Sequence, residues 1–190
     1  MTALPSPGSR IRRLRQLRGM KQSHLAERLG VAQTTVSRWE SGAWRLSADD
    51  LARVFASLQG APSGDTALRR LIEASPLATH LIHDIDHRLI AASPARDRQW
   101  RGAAREHIGR PLWRYATGAI IAAEAELESR GWWELAAPEP VRLVTEAGGG
   151  EDIQVVAGAM VWERVWLSDG TPGRLCTSLA TDSASPPMQA

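Results

Sequence analysis

The chain has 190 residues and a net charge of only +2, a length that allows one large domain or two small ones. It contains no run of 18 apolar residues and no apolar segment near its start, so we expect neither a membrane span nor a secretory signal. A single cysteine excludes an internal disulfide and favours a reducing compartment, so the expected location is the cytoplasm.

Positive charge is concentrated in the first third of the chain. Residues 1–60 carry 10 Lys and Arg against 4 Asp and Glu, whereas residues 61–190 carry 13 against 17. This asymmetry suggests one module that faces nucleic acid and one that does not. The expected organisation is a disordered tail at 1–8, a helical domain at 9–60, a linker at 61–66, a second domain at 67–182 and a disordered tail at 183–190.

Apolar residues at helical spacing predict an all-α first domain of four to five helices. Ser9 is the expected N-cap of the first, and Ser47 with Asp50 forms a capping-box-like start for the fourth. Gly30 ends the second helix and turns the chain, because glycine takes positive φ without steric cost. The predicted spans are 9–18, 22–29, 33–41 and a last helix from 47 onward.

The side chains of four arginines in the first predicted helix are expected to point mostly away from the core. Such a run of positive charge is often only a solvated face, but in the basic third of the chain it is expected to attract phosphates. These residues are Arg10, Arg12, Arg13 and Arg18.

The stretch from Gln22 to Gly42 reads Q-x-x-L-A-x-x-x-G-V-x-x-x-x-V-S-x-W-E-x-G. This pattern resembles the phage-repressor (XRE-type) helix-turn-helix family, and the resemblance extends over roughly residues 9–60. It implies a regulator that places the helix at 33–41 in the DNA major groove. It also implies binding as a homodimer to two half-sites about one helical turn apart.

The predicted recognition helix carries side chains suited to base edges. Glutamine can pair bidentately with adenine and arginine with guanine, and a threonine methyl can touch the thymine methyl. By resemblance, Gln33, Thr34 and Arg38 match the base-reading positions of the family. Ser37 is also expected to contact bases, where it would support the position of the helix more than determine sequence specificity.

Phosphate contacts and one ion pair complete the predicted DNA-binding domain. Gln22 matches the phosphate-binding glutamine of the family. In the family, the positions of Arg15 and Glu40 form an ion pair that ties the first helix to the third. The expected phosphate contacts are Lys21, Gln22, Thr35 and Arg45.

The second domain reads as two strands, an interrupted helical middle and three further strands. This order is typical of an α+β fold with its helices segregated to one face of an antiparallel sheet. The segments 71–95 and 165–182 resemble the beginning and the end of a PAS sensor domain, although the usual asparagine before the first PAS helix is replaced by Ser93. The predicted strands are 78–85, 88–93, 140–147, 153–168 and 174–181, with a short helix at 66–74 before them.

We find no catalytic or metal-binding constellation in the second domain. His80 and His83 lie in one predicted strand and point to opposite faces, so they cannot share a metal ion without a bulge. No lysine occurs after residue 60, which excludes the Ser–Lys peptidase of some repressors. Cys176 is interpreted as a core residue. Trp162 and Trp166 would share one strand face, and core or dimer packing is their expected role. A small-molecule pocket lined by such tryptophans, or a single histidine as a haem ligand, is left open.

The sequence therefore predicts a regulator of transcription that binds double-stranded DNA and is not an enzyme. Its C-terminal domain would form the homodimer and could sense a small ligand or a partner. The alternative hypothesis is an antitoxin-like autorepressor whose C-terminal domain binds a protein partner. An enzyme fused to a helix-turn-helix is a third and less favoured possibility. No contact with a membrane is expected.

Overall fold

A computed structural model describes residues 6–58 and 65–179 of the chain. Most of the predicted tails and most of the predicted linker lie outside these described residues. In the first domain the helices are α1 (Pro7–Leu17), α2 (Gln22–Leu29), α3 (Gln33–Glu40) and α4 (Ala48–Leu58).

Helix α1 begins two residues before its predicted start. Ser6, not Ser9, caps it, because the Ser6 hydroxyl accepts a hydrogen bond from the backbone N–H of Ser9 at 3.2 Å. Pro7 then occupies the first helical position, where its missing N–H costs nothing. Gly8 is buried against α3, and a Cβ at this position would lie 2.0 Å from the carbonyl oxygen of Trp39. The predicted tail at 1–8 therefore includes helical residues that pack closely against the domain.

The four helices of the first domain surround a small apolar core. Ile11, Leu14, Leu25, Val36 and Val54 are fully buried in it. Burying each such side chain stabilises a fold by about 1.5–3 kcal/mol. This core holds α2 and α3 at a fixed angle around a tight turn.

That turn and the start of α4 follow directly from their sequences. Gly30 adopts φ = 70°, and its backbone N–H closes the end of α2. Ala32 precedes α3 and supplies no side-chain cap. At α4, the hydroxyl of Ser47 accepts from the backbone N–H of Asp50 at 3.0 Å, as the capping-box pattern predicts.

The second domain is built on an antiparallel sheet of five strands in the order β2-β1-β7-β6-β3, with a separate two-stranded ribbon of β4 and β5. These elements confirm the predicted fold class, an all-α first domain followed by an α+β domain with an antiparallel sheet. The strands are β1 (Thr79–His83), β2 (Leu89–Ala92), β3 (Val141–Thr145), β4 (Gly148–Gly149), β5 (Gln154–Val155), β6 (Gly158–Trp166) and β7 (Pro172–Ser178).

The helices of the second domain cover both faces of this sheet, not one face as predicted. Ile72 of α5 packs with Leu81, Ala91 and Leu167 in a cluster separate from the main core. The other helices lie on the opposite face, beside His80 and the tryptophans. The helices are α5 (Thr66–Glu73), α6 (Pro94–Gln99), α7 (Ala104–His107) and α8 (Gly118–Glu126), with a 3-10 turn at Trp113–Tyr115.

The predicted strand at 153–168 is divided into two pieces. β5 ends at Val155 and β6 begins at Gly158, which has a φ of 147°. β5 pairs with β4, whereas β6 pairs with β3 and β7. Periodicity alone does not reveal this break, because β5 has only two residues and is too short to show a pattern of its own.

In the described ranges, no helix has both the length and the apolar character required to cross a membrane.

Candidate functional site

The outer face of α3 is open to solvent. Gln33, Thr34 and Arg38 are exposed, while Thr35 and Ser37 are half-buried. The opposite face of the helix is anchored in the core by Val36 and Trp39. Because the inner face is fixed, the exposed side chains project from a rigid support.

A chain of hydrogen bonds runs from α1 to the start of α3. The guanidinium of Arg15 donates to both carboxylate oxygens of Glu40, at 2.6 and 2.9 Å, and its third contact is the carbonyl of Met20. Glu40 also accepts from the amide of Gln22 at 2.8 Å, and the oxygen of Gln22 accepts from the amide of Gln33 at 2.7 Å. Glu40 is buried, so it holds neighbouring helices together and does not face DNA.

Arg38 lies against an aromatic ring that the sequence analysis did not single out. Its guanidinium carbon is 4.6 Å from the centroid of the Trp44 ring, and Trp44 is 49% exposed. Such stacking limits the conformations of an exposed arginine. A tryptophan in the loop directly after the third predicted helix is the sequence signal that could have identified Trp44.

The residues predicted to contact phosphates differ in solvent exposure and in the bonds that they already form within the protein. Lys21 and Arg45 are exposed, and neither forms an ion pair with a carboxylate in residues 6–58 or 65–179. Gln22 is committed to Glu40 and Gln33, although it lies at the first position of α2. Thr35 is half-buried on α3. Lys21 and Arg45 therefore offer the more available charges.

The four arginines expected to attract phosphates, Arg10, Arg12, Arg13 and Arg18, already have partners within the protein. These side chains contact the second domain, so α1 is the helix through which the two domains meet. Arg13 donates to Glu124 at 2.8 Å and its guanidinium lies 4.4 Å from the centroid of the Trp133 ring. The other contacts are Arg10–Asp86 at 3.6 Å, Arg12–Glu128 at 2.9 Å, Gln16–Glu134 at 2.8 Å and Arg18 with the carbonyl of Asp169 at 3.2 Å.

Glu124 connects the domain junction, where α1 contacts the second domain, to a network of buried ion pairs. Its second oxygen accepts from Arg174 at 2.7 Å and lies 3.4 Å from Nε2 of His87. Burial alone would raise the pKa of Glu124, but the charges of Arg174, His87 and Arg13 hold it well below its usual range. Glu124 is one of two glutamates near the end of α8, and its sequence position gives no sign that it is the buried one of the two.

The network continues to Asp84, which is fully buried. Asp84 accepts from Trp132 at 2.8 Å, from Arg164 at 3.1 Å and from Arg174 at 2.6 Å. Burial would lower the pKa of Arg174, but Asp84 and Glu124 raise it above its ordinary value. Arg174 is therefore a permanent cation with two carboxylate partners.

A cavity of about 80 Å³ lies between the sheet and the helices of the second domain. Its wall is largely aromatic and apolar, and Arg174 and His87 connect it to the network around Glu124. The titratable and aromatic residues that line it are His80, His87, Arg96, Trp100, Trp113, Tyr115, Trp162, Arg174 and Cys176.

The histidines and the cysteine of the second domain do not form a reactive group. His80 contributes to the cavity wall, whereas His83 on the other side of β1 contacts Asp86 at 3.1 Å. Residues 6–58 and 65–179 contain no cluster of three residues arranged to hold a metal ion. Burial raises the pKa of the Cys176 thiol to about 12, so it is a poor nucleophile.

The cavity is too small for the haem that the sequence left open. An interior cavity of ~150 Å³ accommodates benzene, and this one has about half that volume. A porphyrin would require the aromatic wall to move apart.

The Helix-turn-helix family model matches residues 11–67 of the chain. A PAS domain of an HTR-like protein from Haloarcula marismortui is 14% identical, with a TM-score of 0.42 over 70% of this chain and 98% of that one. RsLOV D109G is 17% identical, with a TM-score of 0.45 over 64% and 73% of the respective chains. An RNA-binding light-oxygen-voltage receptor is 15% identical, with a TM-score of 0.42 over 92% of this chain and 57% of that one.

A search of curated proteins found no match to this chain.

Proposed function

We propose that the chain, whose residues 11–67 match the Helix-turn-helix family model, is a sequence-specific regulator of transcription of the XRE type that senses a signal through its second domain. The exposed face of α3, fixed from behind by Val36 and Trp39, is the observation that carries this proposal. An α-helix fits the major groove of B-DNA, where each base pair presents a distinct set of donors and acceptors.

The side chains proposed to read bases are Gln33, Thr34, Ser37 and Arg38. The hydrogen bond from Gln22 holds Gln33 in place, and Trp44 restrains Arg38. Because both long side chains are restrained before DNA arrives, less conformational entropy is lost on binding. We propose that Gln33 pairs with adenine and Arg38 with guanine.

Phosphate contacts would set the register of the domain on DNA. The proposed contacts are Lys21, Gln22, Thr35 and Arg45, of which Lys21 and Arg45 carry charge. Replacing either charged residue by alanine should weaken binding nearly uniformly across sequences and reduce the salt dependence by about one ion. Arg10, Arg12, Arg13 and Arg18 are not included in this surface, because they contact the second domain.

A homodimer is the proposed binding state, since one helix-turn-helix makes few contacts and its family binds paired half-sites. The second domain is proposed as the dimerisation element. The docking of α1 on this domain leaves α3 exposed, so each subunit of a dimer could present its recognition helix with a fixed orientation.

The second domain is proposed to sense a small molecule in its cavity and to signal through Glu124. His87 and Arg174 line the cavity, both contact Glu124, and Glu124 pairs with Arg13 of α1. A ligand that changes the contacts of either cavity residue would alter the charge that α1 docks against. Such a change would shift the orientation of the DNA-binding domain.

Selection of duplexes from a random pool tests the DNA-binding proposal. The wild-type protein should enrich a motif with two half-sites, and Arg38→Met should lose about 1–3 kcal/mol of binding free energy at one base pair of each half-site. Arg142→Met is the control, because Arg142 is an exposed arginine on β3 of the second domain. Equal losses for Arg38→Met on all sequences would contradict base reading, and an absence of enrichment would contradict the proposed function.

A further inference from the structure

Arg96 is a buried cation on the wall of the cavity. It is 2% exposed and lies in the first turn of α6, where its backbone N–H donates to the capping hydroxyl of Ser93 at 3.1 Å. The guanidinium donates to the side chain of Gln99 at 2.7 Å, to the carbonyl of Ala78 at 2.8 Å and to the hydroxyl of Ser178 at 2.9 Å.

All of these acceptors are uncharged. Within residues 6–58 and 65–179, no carboxylate forms an ion pair with Arg96, and its Nε–H has no acceptor. Burial lowers the pKa of Arg96 to about 10, so the side chain still carries its charge at neutral pH. A buried charge without a counter-ion is costly, and proteins rarely keep one that nothing compensates.

The neighbouring network does not supply the missing counter-ion. Its two carboxylates, Asp84 and Glu124, already face three arginines, namely Arg13, Arg164 and Arg174. Arg96 and Arg174 both line the cavity, and no carboxylate is among the described residues of its wall. The cavity wall itself therefore carries positive charge without a negative group of its own.

His80 is a second group with unused hydrogen-bonding capacity beside Arg96. Its Nδ1 is buried and has no partner. Burial and the positive charges of Arg96 and Arg174 lower the pKa of His80 well below its ordinary value, so the ring is neutral and keeps one N–H to donate. The rings of His80 and Trp100 are 5.0 Å apart, and Arg96 lies 5.8 Å from the Trp100 ring centroid.

We propose that the cavity binds a small organic carboxylate with a short apolar tail, whose charge is neutralised by Arg96. The carboxylate accepts from the free Nε–H of Arg96 and from His80, and the tail packs among Trp100, Trp113 and Trp162. The volume of about 80 Å³ fits a few non-hydrogen atoms and favours short chains. This inference rests on the proposed sensory role of the cavity and gives the chemical class of the signal.

Acetate and propionate are the probes for the full-length wild-type protein, and acetamide and propionamide are their uncharged counterparts. Sodium chloride keeps the ionic strength constant in every titration. Three of the eight tryptophans line the cavity, so fluorescence should change on binding. Saturable binding of the carboxylates, with the amides at least tenfold weaker, is the expected result. Equal binding of acids and amides, or equal competition by chloride, would overturn the assignment of a carboxylate site.

Arg96→Met tests the anchor, and Arg98→Met is its matched control because Arg98 is an exposed arginine of the same helix. A hydrogen bond to a charged group supports a loss of roughly tenfold to a hundredfold in propionate affinity for Arg96→Met. Arg98→Met should bind as the wild type does. Unchanged affinity in folded Arg96→Met would overturn the proposal.

A measurement on the wild-type protein covers the case in which Arg96→Met does not fold. The NMR signal of the Arg96 Nε–Hε group should move on saturation with propionate and not with propionamide. An unmoved signal at saturating propionate overturns the role of Arg96. If the amides bind and the acids do not, the sensory role of the cavity survives and only the carboxylate assignment fails.

Discussion

Arg13 of the DNA-binding domain and Glu124 of the second domain form an ion pair across the domain junction, with 2.8 Å between Nη1 and Oε1. Both side chains are largely shielded, at 15% and 5% exposure. Glu124 also contacts Arg174 and His87, which line the cavity. A single carboxylate thus lies between the proposed sensory cavity and the helix that carries the DNA-binding domain.

Replacing Arg13 by methionine should loosen the docking of α1. Loss of one partner from a buried pair typically costs about 3–5 kcal/mol, and here Glu124 keeps two other partners, so we expect a value near the lower end. Hydrogen exchange of the α1 and α8 amides should speed up. Arg12→Met is the control, because the Arg12–Glu128 pair is about half exposed, at 49% and 57%, and such pairs contribute at most about 1 kcal/mol. Equal effects of the two variants would contradict a special role for Arg13.

Acid should weaken this junction in a way that depends on Glu124. Its pKa in the folded protein lies below the value of about 4.3 in an unfolded chain. Ionised Glu124 therefore stabilises the fold above that pH, and the contribution is lost as the pH falls below it.

The free energy of unfolding, measured from pH 7 to pH 3 for the wild type and Glu124→Gln, checks this expectation. The difference between the two proteins should be largest at neutral pH and should shrink in acid. Glu128→Gln, at an exposed position of the same junction, should follow the wild type. A difference that stays constant over the whole range would show that the charge of Glu124 is not involved.

Glu40→Ala should unfold the DNA-binding domain. The substitution leaves Arg15 without its bidentate partner and removes the acceptor of Gln22, at an expected cost of about 3–5 kcal/mol. Such a loss is a large share of the stability of a small domain. The variant should lose both its helix-turn-helix thermal transition and DNA binding, and an intact transition in calorimetry would contradict this structural role.

Trp44→Ala should weaken DNA binding without unfolding the domain. Trp44 is exposed, and its interaction with Arg38 is of the kind that contributes about 0.5–1 kcal/mol at exposed sites. We expect a loss of a few fold in affinity, concentrated at the base pair that Arg38 reads. Trp44→Phe keeps a ring and should retain most of the affinity. Equal DNA affinities of Trp44→Ala and Trp44→Phe would contradict the proposal that the ring restrains Arg38 for DNA binding.

The helices of the first domain were predictable because their signals are local. Gly30 and the pair Ser47 and Asp50 mark helix ends through the chemistry of their own positions. The start of α1 was less accessible, since Ser6 and Ser9 both suit an N-cap and the choice depends on Gly8 packing against α3.

The roles of the charged residues were not predictable in the same way. A run of arginines on α1 fits phosphate binding as well as it fits carboxylates of another domain, and sequence spacing does not tell which surface faces it. The roles of Arg96 and Glu124 depend on partners that lie far away along the chain, such as Ser178 and Arg13. Helical and strand periodicity report burial and give no information on such pairs.

The affinity of the wild-type protein for its selected duplex and for a scrambled duplex, at physiological salt, tests the central claim most directly. Specific DNA-binding proteins prefer their sites by about 10³-fold or more. We predict such a preference, and we predict that it falls when the base pairs facing Gln33 and Arg38 are exchanged. Equal affinity for the two duplexes would contradict the account, because the exposed face of α3 would then not read sequence.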